Sequence, residues 1–223
     1  MSVAASPVAV GAVGFEARGL AHRYGTRRAL ERIDFTLEGN GVTAVTGANG
    51  SGKSTLLRII AGLLRPSEGE ARLVVDGRTL SAGERRGAIG LAAPEMAFYE
   101  ELSVGENLRF AAEARALSGA AARVSSALQR VGLATRAADR VAALSSGMQQ
   151  RLRVAFAILH APPLLLLDEP GGHLDDEGRA AIERVIAEHA RNGHVLLATN
   201  DEREWRLAGR RIPLRGRGLG DPA

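Results

Sequence analysis

The chain has 223 residues, 45% of them hydrophobic and 24% charged, enough to bury a large core as one domain or as a core with an inserted lobe. It contains no cysteine, which excludes disulfides and thiolate metal sites. The net charge of +4 comes from arginines scattered among acids with no run of five like charges, so nucleic acid is not an expected partner.

Residues 1–14, MSVAASPVAVGAVG, carry no basic stretch and are too short to span a bilayer; they read as a disordered leader to a domain covering 15–210. Residues 42–46 form a short β-branched run that reads as a buried strand. It is followed by Gly47-Ala48-Asn49-Gly50-Ser51-Gly52-Lys53-Ser54-Thr55, which fits G-x-x-x-x-G-K-[ST], the phosphate-binding loop. Leu56, Leu57, Ile59 and Ile60 then recur at helical spacing up to Gly62. Glycines let such a loop curl until backbone N–H groups point inward at phosphate oxygens, and the helix adds free N–H groups and its positive dipole end. Lys53 is the only lysine in the chain, every other cation being arginine. A compact ammonium on a flexible stem suits the β- and γ-phosphates, where a planar guanidinium has another shape. Ser54 offers a hydroxyl to Mg²⁺, and Thr55 can assist at the α-phosphate.

Residues 105–140 are rich in alanine and arginine and read as helices with few strand signals. Leu152, Ala155, Ile158 and Leu159 mark another helix. Leu164 to Leu167 is an unbroken leucine run, as expected of a strand covered on both faces of a parallel sheet, and it closes on Asp168 and Glu169. At such a strand end Asp168 can hold the shell of a Mg²⁺ ion, and Glu169 is placed to polarise an attacking water. Ile182, Val185 and Ile186 place an apolar stripe on a helix capped by Asp175 or Asp176 and ended by Gly193; residues 195–198 are the next buried strand. Trp205 and the arginines after it read as a surface helix or tail, with 211–223 as a short terminal segment. Alternating strands and helices argue for an α/β fold with a mostly parallel sheet.

The segment Leu144-Ser145-Ser146-Gly147-Met148-Gln149-Gln150-Arg151 resembles the LSGGQ-type signature of the ABC (ATP-binding cassette) ATPases. The likeness continues through DEPGGHLDDEG, similar to that family's Walker B and D-loop, and through YGTRRALERIDFTLEGN, with Tyr24 where an aromatic stacks on adenine. It covers roughly residues 15–205, with the motifs in order. The resemblance implies a phosphate-loop ATPase core, an N-terminal antiparallel β part, and a helical subdomain at about 97–150 that carries the signature and docks on a transmembrane permease subunit. It implies a head-to-tail homodimer or paired cassette, in which Ser145, Ser146, Gly147 and Met148 of one copy face the ATP held by the other. ATP and Mg²⁺ are the implied cofactors. The implied place is cytoplasmic, peripheral on the inner face of the cell membrane.

Two family positions are not met. Where a glutamine is expected after a strand, the chain reads Ala92-Ala93-Pro94-Glu95, and where a switch histidine is expected it reads Ala198-Thr199-Asn200. Asparagine can donate a hydrogen bond to a γ-phosphate oxygen but cannot carry a proton, so Asn200 is expected to act with Lys53 and Glu169 as a sensor. Glu95 is a candidate stand-in at Mg²⁺. His173 reads as structural, and His189 and His194 lack the further ligands of a zinc site. The small size and the signature resemble exporter ATPases, including those linked to haem export. Two other readings stay open: a nucleotide-gated cassette acting on nucleic acid or ribosomes, and a regulatory cassette with little hydrolysis.

Overall fold

The computed structural model of the chain describes residues 13–214. Strands β1 (Val13–Tyr24) and β2 (Arg27–Glu38) form a hairpin turned at Gly25. Strand β3 (Gly41–Thr46) enters the phosphate loop, which leads into α1 (Lys53–Ile60). Strands β4 (Glu68–Val75) and β5 (Arg78–Leu80) return to the hairpin and complete an antiparallel sheet in the order β2-β1-β4-β5. Helix α2 (Ala82–Ala88), started by a Ser81–Glu84 capping box, leads to β6 (Ile89–Ala92).

Three helices follow before the next strand: α3 (Val104–Ala114), α4 (Ala120–Arg130) and α5 (Ser146–Ile158). Helix α3 also opens on a capping box, Ser103 with Glu106, and the buried Asn107 ties its first turn to both backbone groups of Tyr99. The chain then alternates through β7 (Leu164–Asp168), α6 (Asp176–His189), β8 (His194–Thr199), the short α7 (Glu202–Trp205) and β9 (Arg210–Pro213). The second sheet runs β6-β7-β8-β3-β9, with every pairing parallel.

The leucine run of β7 shows why the sheet must be covered on both sides. Leu164 and Leu166 join the core beneath α1 and the antiparallel sheet, whereas Leu165 and Leu167 join the core beneath α5, α6 and the helical lobe. Strand β8 divides alike, with Leu196 and Ala198 on the first side and Val195 and Leu197 on the second. The pleat sends successive side chains to opposite faces, so an apolar run with no alternation has two cores to fill.

Three expected boundaries move. Of the leader, residues 1–12 lie outside the described residues, but Val13 and Gly14 are already sheet, paired with Val75 and Val74. Arg211 to Pro213, expected as tail, pair with β3 in β9, because that strand's outer edge would otherwise leave its backbone groups open; the tail beyond Leu214 lies outside the described residues. The lobe boundary drawn at 150 falls inside α5, whose Leu152, Val154 and Ala155 are fully buried, so one helix runs from lobe into core.

His160, just after α5, and His189, at the end of α6, carry a pH dependence. Burial pushes each ring down to about 4, aided by Arg115 and Arg123 near His160 and by Arg130 and His194 near His189. Between pH 6.5 and 4 the unfolded chain therefore binds protons that the folded chain refuses. Stability from this source is complete above pH 6.5 and drains as pH falls towards 4. The thermal midpoint is expected to lie roughly 5–10 °C lower at pH 5 than at pH 7.5. Thermal melts of a His160→Leu/His189→Leu variant should show a smaller gap; an unchanged gap would assign the effect to other groups.

Candidate nucleotide site

The turn from β3 into α1 depends on close backbone approach. A Cβ on Gly47 would stand 2.6 Å from the Ser51 Oγ and 2.8 Å from the Leu214 carbonyl, so the strand end at β9 braces the loop. Gly52 has φ 99° and a Cβ there would collide with the Ala29 carbonyl of β2. As N-cap of α1 it has no side chain to occupy the helix's free N–H groups, and the first turn holds no acid. That helix end is open to an anion. Lys53 is 6% exposed and folds back over the loop, where its Nζ donates to the carbonyls of Gly47 (2.9 Å) and Ala48 (3.4 Å). Ser51 and Thr55 are buried in the same turn.

Asp168 ends β7 beside this loop and is 2% exposed. Burial pushes its carboxyl up, a hydrogen bond from the Ser54 hydroxyl opposes the rise, and the neighbouring Glu169 adds to it. Its Oδ1 is buried with no hydrogen-bond partner among the described residues. A hydroxyl next to a buried carboxylate with a spare oxygen is an oxygen donor set that fits Mg²⁺.

Glu169 leaves the strand at φ 48°, a left-handed conformation uncommon for a residue with a Cβ, and its N–H is held by the Ala198 carbonyl at 2.8 Å. Its Oε1 lies 3.5 Å from the Lys53 Nζ. Across the gap Asn200, just past β8, donates from Nδ2 to the Asn49 Oδ1 at 3.0 Å. The ends of β3, β7 and β8 thus gather Lys53, Ser54, Asp168, Glu169 and Asn200 at the carboxyl edge of the parallel sheet, where open α/β folds bind ligands.

The family model described as ABC transporter matches residues 30–172. The chain belongs to the ABC transporter ATP-binding family. The cassette is 37% identical over 196 residues to the cytochrome c biogenesis ATP-binding export protein CcmA of Cupriavidus pinatubonensis, covering 86% of this chain and 85% of that one. It is 38% identical over 211 residues to the aliphatic sulfonates import ATP-binding protein SsuB 1 of Rhodococcus jostii, covering 91% and 79%. Among solved structures it is similar to a dimeric post-hydrolysis state of the ATP-binding cassette MJ0796 bound to ADP and Pi, with a TM-score of 0.80, 26% identity and coverage of 90% and 94%. The cassette is an ATPase of this family.

The other expected residues fall in two places. Tyr24 sits at the tip of the β1–β2 hairpin, 46% exposed and edge-on to His22, on the same hairpin whose Ala29 carbonyl touches the phosphate loop. The signature lies apart. Ser145 caps α5 by accepting from the Met148 N–H at 3.2 Å, and Ser145 and Ser146 are exposed. Gly147 packs against the D-loop, where a Cβ would stand 2.6 Å from the His173 carbonyl. No hydrogen bond among the described residues joins this segment to the cassette's own phosphate loop. Glu95 forms an ion pair with Arg58, one turn beyond Ser54 in α1, rather than with the Ser54–Asp168 pair.

Residue-by-residue reading misses two features. Glu204 is buried and its Oε1 accepts from the Gly171 N–H at 2.6 Å; burial pushes its carboxyl up, against the Thr199 hydroxyl and that amide. In the stretch DEREWR it looks like one more solvated acid. Gln150 and Arg153 of α5 form the other, and only their neighbours in space reveal them.

Proposed function

We propose that two copies of the cassette close head to tail over ATP and drive a permease carried on a separate chain. The observation that supports this best is the exposed serine-lined start of α5, which no hydrogen bond among the described residues joins to the cassette's own phosphate loop. In a paired cassette Ser145, Ser146, Gly147 and Met148 would reach the γ-phosphate held by the partner's loop. The dimeric form of MJ0796 with ADP and Pi supports a paired cassette.

Within each site Lys53 and the N–H groups from Gly47, Asn49, Gly50, Ser51 and Gly52 to Thr55 hold the phosphates, and Tyr24 stacks on the adenine. Ser54 and Asp168 would hold Mg²⁺, which supplies positive charge to the phosphate oxygens. Glu169 takes a proton from the attacking water. Asn200 is released from Asn49 to donate its amide to the γ-phosphate, a neutral substitute for the histidine that the family resemblance leads one to expect there.

The permease surface is supported by a groove of about 220 Å³ between the start of the lobe and α5, where Phe98 and Phe156 meet edge to face. Tyr99 and Phe110 beside it are 56% and 52% exposed, and exposed aromatics together mark a contact surface. No helix among the described residues is long and apolar enough to cross a membrane; in this reading the permease supplies the membrane connection and the cassette lies on the inner face. An export role in cytochrome c biogenesis, the setting of the haem-export expectation, draws support from the likeness to CcmA, and import of aliphatic sulfonates draws as much from SsuB 1. The cargo is a property of the permease.

The deciding experiment is ATP turnover per cassette as protein concentration is raised. Pairing predicts a steeper than linear rise of total turnover at low concentration, levelling to linear once dimers dominate. Strict linearity throughout, with a monomeric mass in the presence of ATP, would sink the reading.

A further inference from the structure

We propose that Arg153 and Gln150 are a positioning pair through which the helical lobe sets the backbone of Glu169. This rests on the reading of Glu169 as the base. The two residues are three apart in α5, so they share a face of that helix. Arg153 donates from Nη1 to the Gln150 Oε1 at 3.1 Å and from Nε to the Met96 carbonyl at 3.3 Å. Gln150 donates from Nε2 to the Glu169 carbonyl at 3.3 Å.

The chemistry admits one orientation. A guanidinium has donors only, so the amide oxygen of Gln150 must face Arg153 and its NH₂ must face away, towards the Glu169 carbonyl. Flipping the amide would set NH₂ against guanidinium and oxygen against oxygen. Gln150 is 5% exposed, so water does not offer it an alternative. Glu169 needs such holding because its φ of 48° is strained. Its peptide is fixed on one side by the Ala198 carbonyl and on the other by Gln150 and the Gly172 N–H.

The far end of the pair reaches the groove. Met96 follows Glu95 in the loop that lacks the expected glutamine, and Phe98 is two residues on. Phe156, one turn after Arg153, packs on Phe98 with centroids 6.0 Å apart. A partner pressing on this wall shifts Met96 and α5 together, and Arg153 is bonded to both. The chain thus has a polar connection from lobe to base at a place where it lacks the family's glutamine.

Steady-state hydrolysis of Mg-ATP by the full chain tests this with Arg153→Ala, Gln150→Glu and their double variant. Gln150→Glu keeps shape and keeps an acceptor for Arg153, but removes the donor to Glu169. Both single variants are expected to lower kcat about ten- to a hundredfold with KM for ATP and the melting midpoint held, the signature of a base out of place. The double variant should fall no further than the worse single one, since the residues act in series. Two single variants with wild-type kcat, beside an inactive Glu169→Gln, would overturn the pair while leaving the base intact. A fall in kcat matched by raised KM and a lowered midpoint would mark an ordinary structural role and also overturn it. An active Glu169→Gln would remove the reading on which the pair rests.

Discussion

Glu169→Gln is expected to lower ATP turnover by about a hundred- to ten-thousand-fold, the range by which positioned general bases accelerate reactions. Glutamine has the same shape but no basic oxygen for the proton of the attacking water. The substitution also removes the ion pair across 3.5 Å to the Lys53 Nζ, leaving the ammonium to the Gly47 and Ala48 carbonyls and to any bound phosphate. ATP binding should persist, and the bound nucleotide should stay as ATP instead of being released as ADP. Fluorescent ATP analogue binding beside single-turnover hydrolysis separates the two effects. If turnover survives within a few-fold, the base is another group, and the φ of 48° at Glu169 serves only the D-loop turn.

Lys53→Ala should fail earlier, at binding. The ammonium is 6% exposed and bonded to the Gly47 and Ala48 carbonyls, so it is already fixed over the cradle where the β- and γ-phosphates would lie. A hydrogen bond involving a charged group contributes about 1.5–3 kcal/mol, which corresponds to a roughly ten- to hundredfold weaker ATP affinity when it is lost. Titration calorimetry with ATP and with AMP checks this, since AMP lacks the β- and γ-phosphates proposed for Lys53. Affinity for AMP should be nearly unchanged. An equal loss for both nucleotides would mean that the loop itself had collapsed, because the carbonyls that Lys53 holds would then be free to move.

Glu169 and Lys53 also show how unevenly sequence speaks. Lys53 stands out alone, as the single lysine in a glycine-rich turn between a β-branched run and a helical pattern. Every part of its cradle is within nine residues of chain. Local geometry follows from local sequence in such a turn: the glycines permit it, and the strand before and helix after aim it. The acid pair of Asp168 and Glu169 was legible for a like reason, since four leucines ending in two carboxylates place the acids at a strand end. The α/β class and the helical stretch follow from periodicity and composition, whereas the antiparallel part and the lobe's role follow from the resemblance.

What chain pattern could not supply is which strands lie side by side. The order β6-β7-β8-β3-β9 is a choice among packings with the same apolar runs, decided by how both faces of the sheet are covered at once. That choice brings Asn200 to Asn49 across 151 residues and turns an expected tail into the strand whose Leu214 carbonyl supports Gly47. It also buries Glu204 against Gly171 and lays Arg153 and Gln150 between Met96 and Glu169. By itself the sequence determined the glycine-rich turn with its lysine and the acid pair at the strand end, because each is made from one continuous segment. Only the tertiary structure decided their neighbours, because a hydrogen bond between distant residues exists once the layers have packed and has no local pattern to announce it.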